Sequence, residues 1–343
     1  MLKNTLIYSS IALIITSTAI GFLAYNTFFG KNTTDKVNET LLSLEPGLSI
    51  EALADKLTEE GFILDKRSFL RTAKAMKYGS TIRTGKFSVE GKNSNVELIR
   101  HLRTGSQATV NLVINNARTL EDLSGKLSKF VVSDSIDFLN HLKRTETIEL
   151  LETTEENIMT YFIPNTYEVY WSESPSDILE RMQREHKRFW YANNRIEKAK
   201  ALNMTKEEVY TLASIIEKET NQNQEKPKMA GALLNRLKIG MPLQADPTVV
   251  FATRDFTTKR VLNKHLQYDS PYNTYMYPGL PPGPIAMASI ASIDAILNAE
   301  DHKYLYYCAK GDGSGLHNFA TNLSSHNRNS RIYVQNLKKR GKR

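Results

Sequence analysis

Residues 4 to 30, NTLIYSSIALIITSTAIGFLAYNTFFG, carry no charged side chain, and Lys3 and Lys31 bracket them. Crossing the hydrocarbon of a bilayer takes about 20 predominantly apolar residues in a helix, and this stretch supplies them. Tyr25, Phe28 and Phe29 stand near its outer end, where an interfacial aromatic belt falls. The rival is a cleaved signal peptide, whose apolar core runs to about 7–15 residues. Ser17-Thr18-Ala19 offers a small-residue cleavage site, but the apolar character continues past it. A single-pass, uncleaved anchor in the cytoplasmic membrane is therefore expected. The flanking charges favour the N-terminus inside and the bulk of the chain on the extracytoplasmic side.

The rest of the chain must fold in water. Of its 343 residues, 41% are hydrophobic and 24% charged, which is ordinary for globular protein and enough for about two or three folded units. The net charge of +8 favours an acidic partner such as nucleic acid, anionic lipid or an acidic polymer, without choosing among them. A single cysteine, Cys308, excludes an intramolecular disulfide and a Cys-rich metal site. Following Tyr304-Leu305-Tyr306-Tyr307, it reads as a packed strand residue.

The order of elements predicts an α+β fold. Residues 31–45 are polar and read as a linker. Ser49 is a good N-cap, Ile50, Leu53, Ala54 and Leu57 recur at helical spacing, and Gly61 ends that helix. With a second helix at 67–77, a strand at 85–89 and a helix at 95–102, this makes a small α+β subdomain over 46–105. A connecting segment over 106–155 holds a strand at 108–115 and helices near 119–130 and 133–143. A larger α+β domain over 156–336 begins with a β-prone stretch at 160–171 and one long charged helix at 175–200. After residue 220 the prolines at 242, 247, 271, 278, 281, 282 and 284 predict an irregular, loop-built surface, with a strand at 303–310. The last seven residues, 337–343, read as a solvated basic tail.

The chemistry points to LASIIEKET, residues 212–220. Thr205 and Glu208 form a capping box that starts its helix. Val209, Leu212, Ala213, Ile216 and Thr220 make one apolar stripe, with Glu217 at one edge and Glu219 about 160° away at the other. The two carboxylates cannot act as a local pair. Glu217 has no Lys or Arg three or four residues away. A carboxyl at an apolar boundary without a cation holds its proton longer than in water, as a general acid must. On the residues alone, Glu217 is either such an acid or a solvated helix-edge charge, and Glu219 reads as a solvated charge. There is no G-x-S-x-G elbow, Walker loop or H-E-x-x-H, and the seven histidines lack ligand spacing, so no metal or cofactor is expected. Gly311-Asp312-Gly313-Ser314-Gly315 reads as a turn. No nucleic-acid motif accompanies the basic charge, so no nucleic-acid partner is expected.

Five motifs stand in order along the chain. LASIIEKET is followed by Asn235-Arg236-Leu237 with Gly240-Met241-Pro242-Leu243-Gln244-Ala245-Asp246-Pro247-Thr248. Then come Tyr272-Asn273-Thr274-Tyr275, Gly279-Leu280-Pro281-Pro282-Gly283-Pro284-Ile285, and His317-Asn318-Phe319 with Thr321-Asn322-Leu323-Ser324-Ser325-His326-Asn327. This series closely resembles the MltG/YceG-like endolytic murein transglycosylases, densest over about 160–327. The resemblance implies a catalytic domain over 156–336 and a LysM-like subdomain over 46–105. It also implies cleavage of the MurNAc–GlcNAc bond of peptidoglycan without water, leaving 1,6-anhydro ends. Glu217 would be the acid/base, protonating the bridging oxygen and then deprotonating the muramyl O6 hydroxyl. Gln244, Asp246, Tyr272, Asn273, Tyr275, His317, Asn322 and His326 would bind sugar or orient the glutamate, and a peptidoglycan synthase would be a partner. The competing reading is a non-catalytic scaffold that binds peptidoglycan.

Overall fold

The uncharged stretch forms one helix, α1 (Leu2–Phe29), whose apolar core Leu6–Phe29 is long enough to cross a bilayer. Four of its hydroxyl side chains bond within the helix. Ser10, Thr16, Thr18 and Thr27 each donate to the carbonyl four residues back, at 2.7–2.9 Å. The computed structural model describes residues 2–34, 41–79, 82–258 and 261–341. Two units emerge: Met1–Asn111 with Glu168–Glu173, and Leu112–Tyr167 with Ser174–Arg343.

In the first unit, β1 (Leu41–Leu44), α2 (Ile50–Glu59), α3 (Lys66–Ala75), β2 (Gly85–Ser88) and α4 (Asn95–Thr104) follow α1. β1 and β2 pair antiparallel, Leu42 opposite Phe87. Ser49, Asp65 and Ser94 cap the three shorter helices with side-chain oxygens. Their apolar faces meet the sheet in a core of Leu42, Leu53, Leu57, Phe69, Phe87 and Ile99.

The linker expected over 31–45 is not a loose tether where it is described; residues 35–40 lie outside the described residues. Asn32 and Thr33 are buried, and isolated bridges join Lys31 to Ser94 and Thr33 to Ile63. Asn32 accepts from the Asp65 N–H at 2.7 Å and donates to Asn95 at 2.7 Å. The Thr27 carbonyl, left over at the end of α1, accepts from Ser68, Thr72 and Asn95 at 3.0–3.1 Å. Short polar side chains that look like linker composition are thus the hydrogen bonds that fasten α1 to its unit.

The second unit holds β3 (Thr109–Ile114) from Leu112 on, α5 (Leu120–Leu127), α6 (Ser135–Lys143), α7 (Thr145–Leu150) and β4 (Asn165–Tyr170) to Tyr167. β3 and β4 pair with each other. The single helix expected over 175–200 is two, α8 (Pro175–Tyr191) and α9 (Arg195–Ala201). Asn193 and Asn194 between them take left-handed backbone angles, φ 56° each, which asparagine tolerates.

Next come α10 (Lys206–Glu219), α11 (Lys226–Lys238), α12 (Asp246–Thr253), α13 (Asn263–Leu266), α14 (Ile290–Leu297), β5 (Tyr306–Ala309), β6 (His317–Ala320) and α15 (Leu323–Lys339). The irregular surface expected after residue 220 is present over 267–289, which holds five of the prolines and neither helix nor strand, while α11, α12, α14 and α15 make the surrounding chain helical. Prolines 227 and 247 sit in first helical turns, where their missing N–H costs nothing. α10 is buried all round rather than along one stripe, with every residue from Val209 to Ile216 buried, because α11, α12 and α14 all pack on it. The basic tail is the end of α15 up to Lys339, and Arg340 docks on the Gly311 carbonyl at 3.2 Å. Residues 342–343 lie outside the described residues.

Candidate active site

The site is built around the last turn of α10. The capping box expected at Thr205 and Glu208 is present. The proline-rich segment holds α10 through backbone bonds: Ile285 N–H donates to Ser214 Oγ at 3.0 Å and Ala288 N–H to Tyr210 Oη at 3.3 Å. A Cβ on Gly283 would come within 2.5 Å of the Glu156 carbonyl, so only glycine lets this segment lie so close. The segment delivers Ser289 and the start of α14 to Glu217.

Glu217 has a cation partner after all. Lys226, from the first turn of α11, places Nζ 3.1 Å from Glu217 Oε2. Ser289 and Ser292 each donate a hydroxyl to the same oxygen at 2.5 Å. Burial alone would raise this carboxyl, but the two serine hydroxyls and Lys226 outweigh it and hold Glu217 below the usual glutamate range. The sequence expectation of a retained proton fails at this residue. It considered only partners on the same helix, and the cation comes from the next one.

Glu219 behaves in the opposite way. Part of its side chain reaches the surface, but its carboxyl lies deep enough that burial is the largest influence on it. Burial and then the charge of Asp246 push it up to about 8, against a hydrogen bond from Tyr307 and the charge of Arg236. Glu219 is therefore not the solvated charge that its helix position suggested. Burial and Asp246 both favour its neutral form.

Its surroundings come from the motifs. Arg236, 6% exposed, donates to the carbonyls of Leu305 and Leu243 at 2.5 and 2.6 Å, and lies 5.4 and 6.0 Å from the rings of Tyr306 and Tyr307. Asn235 donates to the carbonyls of His302 and Tyr304. The Asn-Arg pair thus ties β5, with Tyr307, to the loop that precedes Asp246. Asp246 begins α12 and accepts from Tyr275 Oη at 2.6 Å.

Three cavities adjoin this point. One, of about 470 Å³, is lined by Arg118, Lys218, Asp246, Phe251, Phe256 and Tyr333 among others. A second, of about 480 Å³, is lined by Glu219, Gln222, His317, Tyr333, Arg340 and the Gly311–Gly315 loop. Tyr333 borders both. A third, of about 200 Å³, shares Arg118 and Phe251 with the first and adds Tyr272, Arg254 and Pro284. Linked through these shared residues the three make one groove, and Glu219 lines its second cavity. The glycine loop is a turn, as expected, between β5 and β6, with φ of 70°, 99° and 72° at its three glycines.

The expected binding residues fall into two groups. Asp246 and Tyr275 meet at Glu219. His317 lines its cavity and is held by Glu225, at 3.0 Å from its ring Nδ1. Gln244 is exposed two residues from Asp246. Tyr272 packs on Phe251, ring centroids 4.7 Å apart, and borders the third cavity. The others make contacts within the fold. Asn273 is fully buried, donating to the Leu266 and Tyr268 carbonyls and accepting from Tyr275 N–H. Asn322 caps α15 by accepting from Ser325 N–H at 2.9 Å. His326 stacks on Tyr306 at 5.2 Å. Lys226, Ser289, Ser292, Tyr307, Arg118 and Tyr333 were missed. For Arg236 the only signal was its place in an ordered motif.

The chain belongs to the YceG-like family, whose model matches residues 42–332. It is 29% identical over 309 residues to an endolytic murein transglycosylase of Bacillus subtilis (strain 168), covering 85% of this chain and 84% of that protein. It is 22% identical over 326 residues to one of Streptococcus pneumoniae (strain ATCC BAA-255 / R6), spanning 85% of this chain and 58% of that longer protein. The crystal structure of a yceG-like protein from Listeria monocytogenes matches with a TM-score of 0.57 at 25% identity, over 84% of this chain and 98% of that one.

Proposed function

We propose that the chain is an endolytic murein transglycosylase anchored in the cytoplasmic membrane by α1, with its second unit outside, and that Glu219 is its acid/base. What carries this reading is the place of Glu219, which lines the cavity of about 480 Å³ and whose carboxyl is pushed up to about 8 by burial and the charge of Asp246. The neutral carboxyl donates its proton to the oxygen bridging MurNAc and GlcNAc, and the C1–O bond breaks. The GlcNAc leaves with a hydroxyl. Asp246 supplies negative charge toward the positive sugar ring, and Tyr275 fixes it in place. The Glu219 carboxylate then takes the proton of the muramyl O6 hydroxyl as that oxygen bonds to C1. The product is a 1,6-anhydro ring, the carboxyl ends neutral as it began, and no water is consumed. Glycosidases that use water need a second carboxylate in a defined role; this reaction does not.

The family resemblance first suggested Glu217 for this role. Three donors on one oxygen leave it a poor acid. We assign it instead to positioning: it ties the end of α10 to α11 and α14, which fixes the direction of Glu219. His317, Gln244 and Tyr272 are proposed sugar contacts. Asn273, Asn322 and His326 are proposed to act through the scaffold. The β1-α2-α3-β2 order supports the LysM-like reading of the first unit, starting at Leu41 rather than residue 46. A peptidoglycan synthase partner belongs to the same reading. The name of the Bacillus relative supports the substrate.

The test compares Glu219→Gln with Glu217→Gln on uncrosslinked glycan strands. The assignment predicts no cleavage by the first and reduced but measurable cleavage by the second. Full activity in Glu219→Gln would end it. Binding of strands without cleavage by the wild-type protein would favour the scaffold.

A further inference from the structure

Two cations share the groove's first cavity without a bonded carboxylate. Arg118 stands just before α5, and Lys218 lies between the two glutamates of α10. Both line the cavity of about 470 Å³ with Asp246, Phe251, Phe256 and Tyr333. Neither side chain is fully exposed. Arg118 lies 5.1 Å from the centre of the Phe256 ring, and only its backbone N–H reaches a carboxylate, Asp122 at 3.1 Å. Among the described residues, no hydrogen bond or ion pair holds the Arg118 guanidinium or the Lys218 ammonium. The cavity's acid, Asp246, is already engaged by Tyr275.

Two partly buried like charges in one cavity repel each other, and burial weakens the screening that water supplies. Burial, Arg118 and Lys126 all press Lys218 toward its neutral form, with Glu217 and Asp122 acting against them. Such a pair costs the fold something unless a ligand brings the missing negative charge. The planar guanidinium suits a carboxylate in bidentate contact, and the ammonium beside it adds a point charge.

We propose that Arg118 and Lys218 form a carboxylate-binding subsite next to the acid, selecting muramyl residues that carry a free carboxylate. The proposal rests on the transglycosylase reading. On a glycan strand that carboxylate has two sources. It belongs either to the stem peptide or to the lactyl group of a muramyl residue without a peptide.

The experiment uses the full chain in detergent micelles carrying Glu219→Gln, so that bound strands stay whole. Isothermal titration calorimetry gives Kd for two pairs of short strands. One pair is peptide-bearing, with stem carboxyls free or amidated. The other is peptide-free, with lactyl carboxyls free or amidated. The expected result is roughly tenfold tighter binding of the free-acid member of at least one pair, as for a partly exposed charge-assisted contact. Which pair responds names the source. Adding Arg118→Gln and Lys218→Met should bring that ratio close to one, and Lys218→Arg alone should preserve it. Equal binding within both pairs by the protein that keeps both cations would overturn the proposal, whether or not the double variant folds. So would a ratio that survives the double substitution. Failure of the transglycosylase reading would appear separately, as the absence of strand cleavage by the wild-type protein.

Discussion

Replacing Glu219 by Gln should stabilise the protein, and more so as pH rises. The folded carboxyl keeps its proton to about 8, against an ordinary value of 4.5 for the unfolded chain. Through that window the unfolded state binds fewer protons than the folded one, so stability falls as pH rises. At about 1.4 kcal/mol per pH unit, the full cost to the wild-type protein reaches roughly 3 kcal/mol at pH 7. Local relaxation and water entry reduce this, and roughly 1–2 kcal/mol is expected to remain. Glutamine has nearly the same shape, can keep the Tyr307 contact and does not titrate. Scanning calorimetry from pH 4 to 9 should therefore show Glu219→Gln about 3–6 °C more stable near pH 7, using about 2–4 °C per kcal/mol for a unit of this size. The advantage should shrink to almost nothing near pH 4.5. A Tm difference that is constant across pH, or a loss of stability at pH 7, would refute the claim that this carboxyl is held neutral.

Glu217→Gln should do the reverse. Lys226, 5% exposed, would lose its counter-ion, at a cost of about 3 kcal/mol above pH 5. The folded carboxyl is held low, so the wild type's advantage should shrink below the ordinary glutamate value and be lost as pH falls through the lowered one; urea titrations at pH 7 and about pH 3 check both statements. Asp246→Asn removes a charge that keeps Glu219 protonated, so the alkaline limb of kcat/KM should move down by about one pH unit. An unmoved limb would deny the coupling between the two residues. Asn95→Leu leaves the Thr27 carbonyl and Asn32 short of partners and should destabilise the first unit by about 2 kcal/mol. Faster limited proteolysis around residues 31–34 is the expected readout.

Local signals in the sequence were legible wherever a residue acts within its own element. The N-caps Ser49 and Thr205, the helix end at Gly61 and the span of α1 follow from side chains and backbone a few residues apart. After residue 220 the prolines mark the loop over 267–289 correctly, but prolines that open helices resemble prolines that break them. Pro227 and Pro247 are openers. The site was harder still. A helical wheel places Glu217 and Glu219 correctly relative to each other but knows nothing of α11, α12, α14 and β5. Those elements set the surroundings, bringing Lys226, Ser289 and Ser292 to Glu217, and Asp246 and Tyr307 to Glu219. The ordered motifs marked these segments without revealing such partners. The fastening of α1 by Asn32 and Asn95 was hidden for the same reason, since its partners lie 33 to 68 residues apart.

The most direct test incubates the full chain in detergent micelles with uncrosslinked glycan strands and weighs the new ends by mass spectrometry, beside Glu219→Gln and Glu217→Gln. The account predicts 1,6-anhydromuramyl ends from the wild-type protein, none from folded Glu219→Gln and some from Glu217→Gln. Ends one water heavier, or undiminished cleavage by Glu219→Gln, would contradict it.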